Sequence, residues 1–145
     1  MRIAFVVMGG GLAAVALWAA TRQADTVAAA GVDLARGAAI YDARCAACHG
    51  AELEGQPDWR VAGPDGILPA PPHDETGHTW HHDDATLIDY TTLGGAGMMA
   101  RAGVADFPSG MPAFGDILTE GEIRDVVEYI KSTWPAEIRE AQAAR

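Results

Sequence analysis

The two cysteines of this 145-residue chain lie three positions apart, in the run Cys45-Ala46-Ala47-Cys48-His49. On a helix, residues three apart share a face and are separated by about one turn. Two thiols at that spacing can add to the two vinyl groups of one haem, and the next residue can supply an imidazole to the iron. A C-x-x-C-H run is typical of c-type haem attachment. We therefore predict one covalent haem c, attached to Cys45 and Cys48, with His49 as the proximal iron ligand.

Three other uses of the cysteine pair fit the sequence less well. A disulfide across two intervening residues would close a very small loop and would stabilise the fold little. A thioredoxin-like redox pair would need a βαβ pattern, which the sequence does not show. A zinc site would need two further strong ligands, and the chain contains no third cysteine.

The sequence divides into an export segment, a linker, one domain and a tail. Residues 1–20 comprise Met1-Arg2 and a long uncharged apolar run, which predicts a signal peptide or an N-terminal membrane anchor. We favour the anchor, because the run is long enough to span a bilayer. Either form would place the domain on the periplasmic side of a bacterial inner membrane. We expect a linker over 21–32, the domain over 33–135 and a polar tail over 136–145.

The charge of the chain limits its partners. It has 20 Asp and Glu against 10 Lys and Arg, which gives a net charge of −10. Such a charge argues against nucleic acid and anionic membrane surfaces as partners. It favours a redox partner with a basic docking patch and an association that weakens with salt.

The helix signals are separated by loops rich in proline and glycine. Asp33 is a suitable N-cap for a helix that leads to the cysteines. A second helix is predicted from Asp83 or Asp84 to about Leu93, ended by the glycines of 94–97, and a third over 119–134 with a Thr119/Glu122 capping box. Loops are predicted over 51–82, which holds five of the eight prolines, and over 98–117. No strand pattern appears, so the predicted fold class is all-α.

The second iron ligand should come from far along the chain. Met111 is the candidate, because Pro112 restricts it to an extended backbone that can direct its thioether inward. Met98 and Met99, in a glycine-rich stretch, are alternatives, and an open or water-bound position is a third. A thioether ligand would raise the reduction potential, and two protein ligands would leave no vacancy for a substrate or oxygen.

The chain resembles the class I c-type cytochromes, the small monohaem carriers of bacterial respiratory chains. The resemblance covers about 33–134 and rests on C-A-A-C-H at 45–49, G-M-P-A-F at 110–114 and the last helix. It implies a cytochrome c fold, in which crossing N- and C-terminal helices and shorter elements enclose one haem. Gly37 and Tyr41 would then meet the last helix near Val126, Val127 and Tyr129. The implied function is electron transfer, not enzymatic catalysis, with an oxidase, a quinol-oxidising complex or a dehydrogenase as partner.

A long insertion over 57–82 is outside the minimal pattern of that family. It carries four histidines, His73, His78, His81 and His82. The insertion could cover the propionate edge of the haem, where Trp59 or Trp80 could donate an indole N–H and a histidine could neutralise charge. The histidines could alternatively bind copper or zinc, since imidazole suits both metals. The second hypothesis is therefore a haem-bearing protein that handles or senses a metal such as copper, and the third is a solvated surface.

Overall fold

The computed structural model describes residues 31–145, so the export segment predicted at 1–20 and most of the linker lie outside the described residues. Within 31–145 the chain is helical and contains no strand, which confirms the predicted all-α class. A single 3₁₀ turn spans Thr79–His81. The helices are α1 Leu34–Arg44, α2 Ala46–His49, α3 Asp84–Arg101, α4 Glu120–Ser132 and α5 Ala136–Ala143.

Helix α1 is fixed at its start by two carboxylates. The Asp33 side chain caps the helix by accepting a hydrogen bond from the Arg36 backbone N–H at 2.9 Å. The Asp33 backbone N–H donates to the Asp125 carboxylate on α4 at 2.9 Å, and the Arg36 guanidinium pairs with the same carboxylate. Asp125 is only 2% exposed, and a buried charge requires such partners. The first turn of α1 is therefore tied to α4.

Helices α1 and α4 touch backbone to backbone at Gly37. A Cβ atom on Gly37 would overlap the Asp125 carbonyl group and would lie 2.9 Å from the Tyr129 Cβ. One turn later the buried Tyr41 ring packs on Tyr129, with ring centroids 5.6 Å apart. Tyr41 also belongs to the core cluster that contains Val126 and Val127. The expected contact between Gly37, Tyr41 and the last helix is confirmed.

Helix α4 begins with the predicted capping box. The Thr119 hydroxyl accepts a hydrogen bond from the Glu122 N–H, and the Glu122 carboxylate accepts one from the Thr119 N–H at 2.8 Å. The helix ends at Ser132, slightly before the predicted boundary. Its apolar stripe and Trp134 form most of the buried core, namely Ile123, Val126, Val127, Ile130 and Trp134.

Helix α3 is longer than the sequence predicts. The glycines of 94–97 do not end it: only Gly94 leaves the helical conformation, with φ 70° and ψ 171°, and the helix resumes and continues to Arg101. Met98 and Met99 are therefore helical, and the predicted loop over 98–117 is wrong for its first four residues. Alanine and methionine are good helix formers, so one non-helical glycine produces a kink instead of an end.

The predicted polar tail over 136–145 contains helix α5. Gln142 on α5 is only 3% exposed. Its side-chain amide donates to the Asp84 carboxylate at 2.7 Å and to the His82 carbonyl at 3.2 Å. Helix α5 thus packs on the start of α3. Across residues 31–145, no helix has the length and apolar character needed to cross a bilayer.

We predict that Gly37→Val destabilises the haem-loaded protein, because the side chain would force α1 away from α4. Overpacking of a tight contact typically costs about 1–3 kcal/mol. Ala39→Val is the matched control, since Ala39 is on the exposed face of the same helix. Denaturant unfolding of both variants measures the difference between their free energies of unfolding. A Gly37→Val protein as stable as Ala39→Val would contradict the close contact.

Candidate functional site

One cavity of about 480 Å³ opens between the helices and the long loops. Its volume is in the range of about 300–1,000 Å³ that small-molecule and cofactor sites occupy. The wall is mainly apolar and is built from the α1–α2 junction, the segment 67–71, α3, the segment 107–114 and α4. The four residues predicted to hold a haem all contribute to this wall: Cys45, Cys48, His49 and Met111.

The two cysteines are free thiols at the edge of the cavity. Cys45 precedes α2 and is half-buried, whereas Cys48 is exposed. Burial, and to a smaller extent the neighbouring Cys48, raises the pKa of the Cys45 thiol to about 11. Cys45 is therefore a neutral thiol at physiological pH, and neither cysteine sulfur forms a disulfide.

His49 is oriented by the proline-rich loop. Its Nδ1 lies 2.9 Å from the Pro71 carbonyl oxygen. Because a carbonyl can only accept a hydrogen bond, the proton is on Nδ1, and Nε2 is left with its lone pair. Burial lowers the pKa of His49, although the Pro71 hydrogen bond opposes this shift. His49 is thus a neutral imidazole with one nitrogen available to a metal.

His73 packs directly against His49, a contact that the sequence does not indicate. The two rings meet edge to face with centroids 3.9 Å apart, and Nδ1 of His73 is buried without a hydrogen-bond partner. Burial, followed by His49 and His78, lowers the pKa of His73 well below its usual value. The Trp134 indole N–H donates to the His73 carbonyl at 2.7 Å, which ties this loop to the end of α4.

The backbone of Met111 is held on both sides. Its N–H donates to the Ser109 hydroxyl at 3.2 Å, and its carbonyl accepts from the Gly95 N–H at 3.1 Å. This approach requires the kink in α3, because a Cβ on Gly94 would lie 2.7 Å from the Pro112 carbonyl carbon. The positive φ of Gly94 also disfavours any other residue there. The kink in α3 therefore positions the segment that carries Met111.

The structure separates the two alternative methionines. Met99 contributes to the cavity wall, and its sulfur accepts a hydrogen bond from the Tyr90 hydroxyl at 3.8 Å. Met98 is not part of the wall. Two thioethers, Met99 and Met111, therefore border the cavity.

Comparison with known proteins identifies the family. Residues 34–134 match the family model described as cytochrome c. This chain belongs to the cytochrome c family. It is 35% identical over 97 residues to the "Cbb3-type cytochrome c oxidase subunit CcoP" of Azospirillum sp. (strain B510), an alignment that covers 67% of this chain and 27% of that protein. The chain thus spans little more than a quarter of that relative's length, and no solved structure matches it significantly.

The residues around the cavity fit the haem c that this cytochrome c family carries. The wall is apolar, as the porphyrin requires, and it presents two free thiols at the C-x-x-C-H spacing. An imidazole with a free Nε2 and two thioethers border the same space. Membership in the cytochrome c family supports electron transfer through haem iron.

The metal-handling hypothesis finds no support in the geometry. Over the described range 31–145, no group of three or more His, Cys, Asp or Glu side chains is arranged to hold a metal ion. The two tryptophans of the insertion make other contacts. The Trp80 indole donates to the Glu75 carbonyl at 3.2 Å, and Trp59 stacks on His78. Neither indole contributes to the cavity wall.

We predict that acid–acetone extraction leaves the haem on the wild-type polypeptide, because thioether bonds survive this treatment. Replacing both Cys45 and Cys48 with alanine removes the two thiols that can form those bonds, so the extract should then contain any haem that remains bound. Mass spectrometry of the polypeptide before and after extraction measures the attachment. Free haem in the wild-type extract would contradict covalent attachment.

Proposed function

We propose that this cytochrome c carries single electrons through one haem c attached to Cys45 and Cys48 and ligated by His49 and Met111. The observation that carries the proposal is the convergence of these four side chains on one apolar cavity. The hydrogen bond from His49 Nδ1 to Pro71 supports the role of His49, because metal-binding histidines commonly use their second nitrogen in this way.

Ligation by His49 and Met111 makes the site a carrier. The bound haem would supply a one-electron couple, and His49 and Met111 would both hold its iron. The chain then has three tasks: to fix the ligands, to exclude water and to set the potential. The thioether of Met111 raises the potential, and the buried Leu87, Phe114 and Val126 keep the cavity dry. Because the His49 ring and the Met111 backbone are anchored by hydrogen bonds, the two segments need to move little when the electron is exchanged.

The redox partners are proposed to belong to a respiratory chain. The relative from Azospirillum is named as a subunit of an oxidase, which supports an oxidase as acceptor. A quinol-oxidising complex or a dehydrogenase would supply the electron. The net charge of −10 supports a basic docking patch on the partner.

The proposed location is the periplasmic side of a bacterial inner membrane. The apolar sequence over 1–20 supports export, either as a retained anchor or as a signal peptide. Covalent haem attachment is consistent with this location, since that assembly follows export in bacteria.

We predict that Met111→Ala abolishes the weak far-red absorption band of the oxidised protein, which the family leads us to expect for a sulfur–iron bond. The reduction potential should fall, because the thioether that raises it is lost. Met99→Ala is the matched control, since Met99 borders the same cavity. Loss of the band in Met99→Ala and its retention in Met111→Ala would assign the ligand to Met99.

We predict that electron exchange with a basic partner slows as salt is added. Screening shortens the range of surface charges to about 8 Å at physiological ionic strength and about 3 Å at 1 M. Electrostatic steering raises association rates by about 10–1,000-fold, so the second-order rate should fall at least tenfold between low and high salt. Stopped-flow mixing with a purified oxidase measures this second-order rate. A rate that does not change with salt would exclude the basic docking patch.

A further inference from the structure

Three histidines of the insertion lie on one short turn but face different surroundings. His78 and His82 line the cavity, one on each side of the 3₁₀ turn Thr79–His81. His81, between them, is exposed and stacks on Trp80, with ring centroids 3.7 Å apart. Its Nδ1 lies 3.5 Å from the Arg145 guanidinium. His78 is also exposed and His82 is half-buried, but of the three only His78 and His82 contribute to the cavity wall.

The two imidazoles of the cavity wall are neighbours. The His78 and His82 rings meet edge to face with centroids 5.6 Å apart. His78 stacks almost parallel on Trp59, at 5.1 Å, and the Arg60 guanidinium lies over the same indole. On the other side, the His82 ring lies 6.2 Å from the Tyr90 ring. Aromatic contacts thus hold both rings at the wall.

The remaining charges of the cavity wall nearly cancel. Apart from its four histidines, the wall contains one arginine, Arg44, and one carboxylate, Asp65. The other titratable or charged groups around the pair are His73, His81 and Arg60 near His78, and Asp83 and Tyr90 near His82. A bound haem would add two propionate carboxylates to this environment. Buried carboxylates need donors, and this wall offers imidazoles for that purpose.

We propose that His78 and His82 form a carboxylate-binding pair for the haem propionates, and that this pair takes up a proton when the haem is reduced. The inference rests on the proposed function, because it requires a haem in the cavity. The pair takes one proton from water as one electron from a reduced partner protein converts iron(III) to iron(II). When an oxidised partner protein removes the electron, the pair returns the proton to water.

The direction of the coupling follows from charge. Iron(III) has one more positive charge than iron(II), so it disfavours an imidazolium in the same wall. The pair therefore binds its proton more tightly in the reduced protein, and the potential must fall as the pH rises through the range in which imidazole titrates. Burial, followed by His82, His81 and Arg60, lowers the pKa of His78, and the propionates would act in the opposite direction.

The test is the reduction potential of the haem-loaded protein, measured from about pH 5 to pH 8, the range in which histidine titrates. The wild type should show a potential that falls with pH, at no more than the ~59 mV per pH unit of a process with one proton per electron. His78→Gln and His82→Gln should each reduce this slope. His81→Gln is the matched control from the same turn and should keep the wild-type slope.

A second measurement needs no variant. Reduction of the wild type in weakly buffered solution, followed with a pH indicator, should show proton uptake in the pH range over which the potential falls. A potential independent of pH, or a slope that His81→Gln lowers as much as His78→Gln, would overturn the proposal. If the reduction potential does not change with pH in a protein that retains covalent haem and sulfur ligation, only this inference is rejected. Absence of the haem or of the sulfur ligand would instead reject the proposed function.

Discussion

The contact between α1 and α4 is the constraint on which the site depends. Gly37 lets the two backbones touch, and the buried Asp125 carboxylate fixes the start of α1 beside α4. Helix α1 leads directly to the cysteine pair, while Val126, Val127 and Ile130 of α4 form part of the cavity wall. The same contact therefore builds the core and places two thiols and an imidazole against an apolar surface.

Two distant segments complete the site through their backbones. The Pro71 carbonyl selects the tautomer of His49 from one side. On the other, the kink at Gly94 lets the Gly95 N–H bind the Met111 carbonyl. Backbone groups of this kind are fixed by the fold, and they keep their position when a side chain moves. The His49 ring and the Met111 backbone are thus held in place by the fold.

The sequence predicts the parts of this arrangement that are encoded locally. The spacing of Cys45 and Cys48, the capping box of α4 and the proline after Met111 all act within a few residues, so a pattern identifies them. The sequence does not indicate the kink at Gly94, because the kink depends on the loop around Met111, about 17 positions away. The contact of His73 with His49, and the presence of His82 but not His81 in the cavity wall, likewise depend on long-range packing, for which a single sequence provides no local signal.

The most direct test of the account is iron X-ray absorption of the oxidised and reduced holoprotein. Ligation by His49 and Met111 predicts one sulfur and five nitrogens around the iron in both states, because both ligands are anchored by the fold. The cysteine sulfurs would not contribute, since they are bonded to the porphyrin and not to the metal. An iron surrounded by nitrogen and oxygen alone, in either state, would contradict the account.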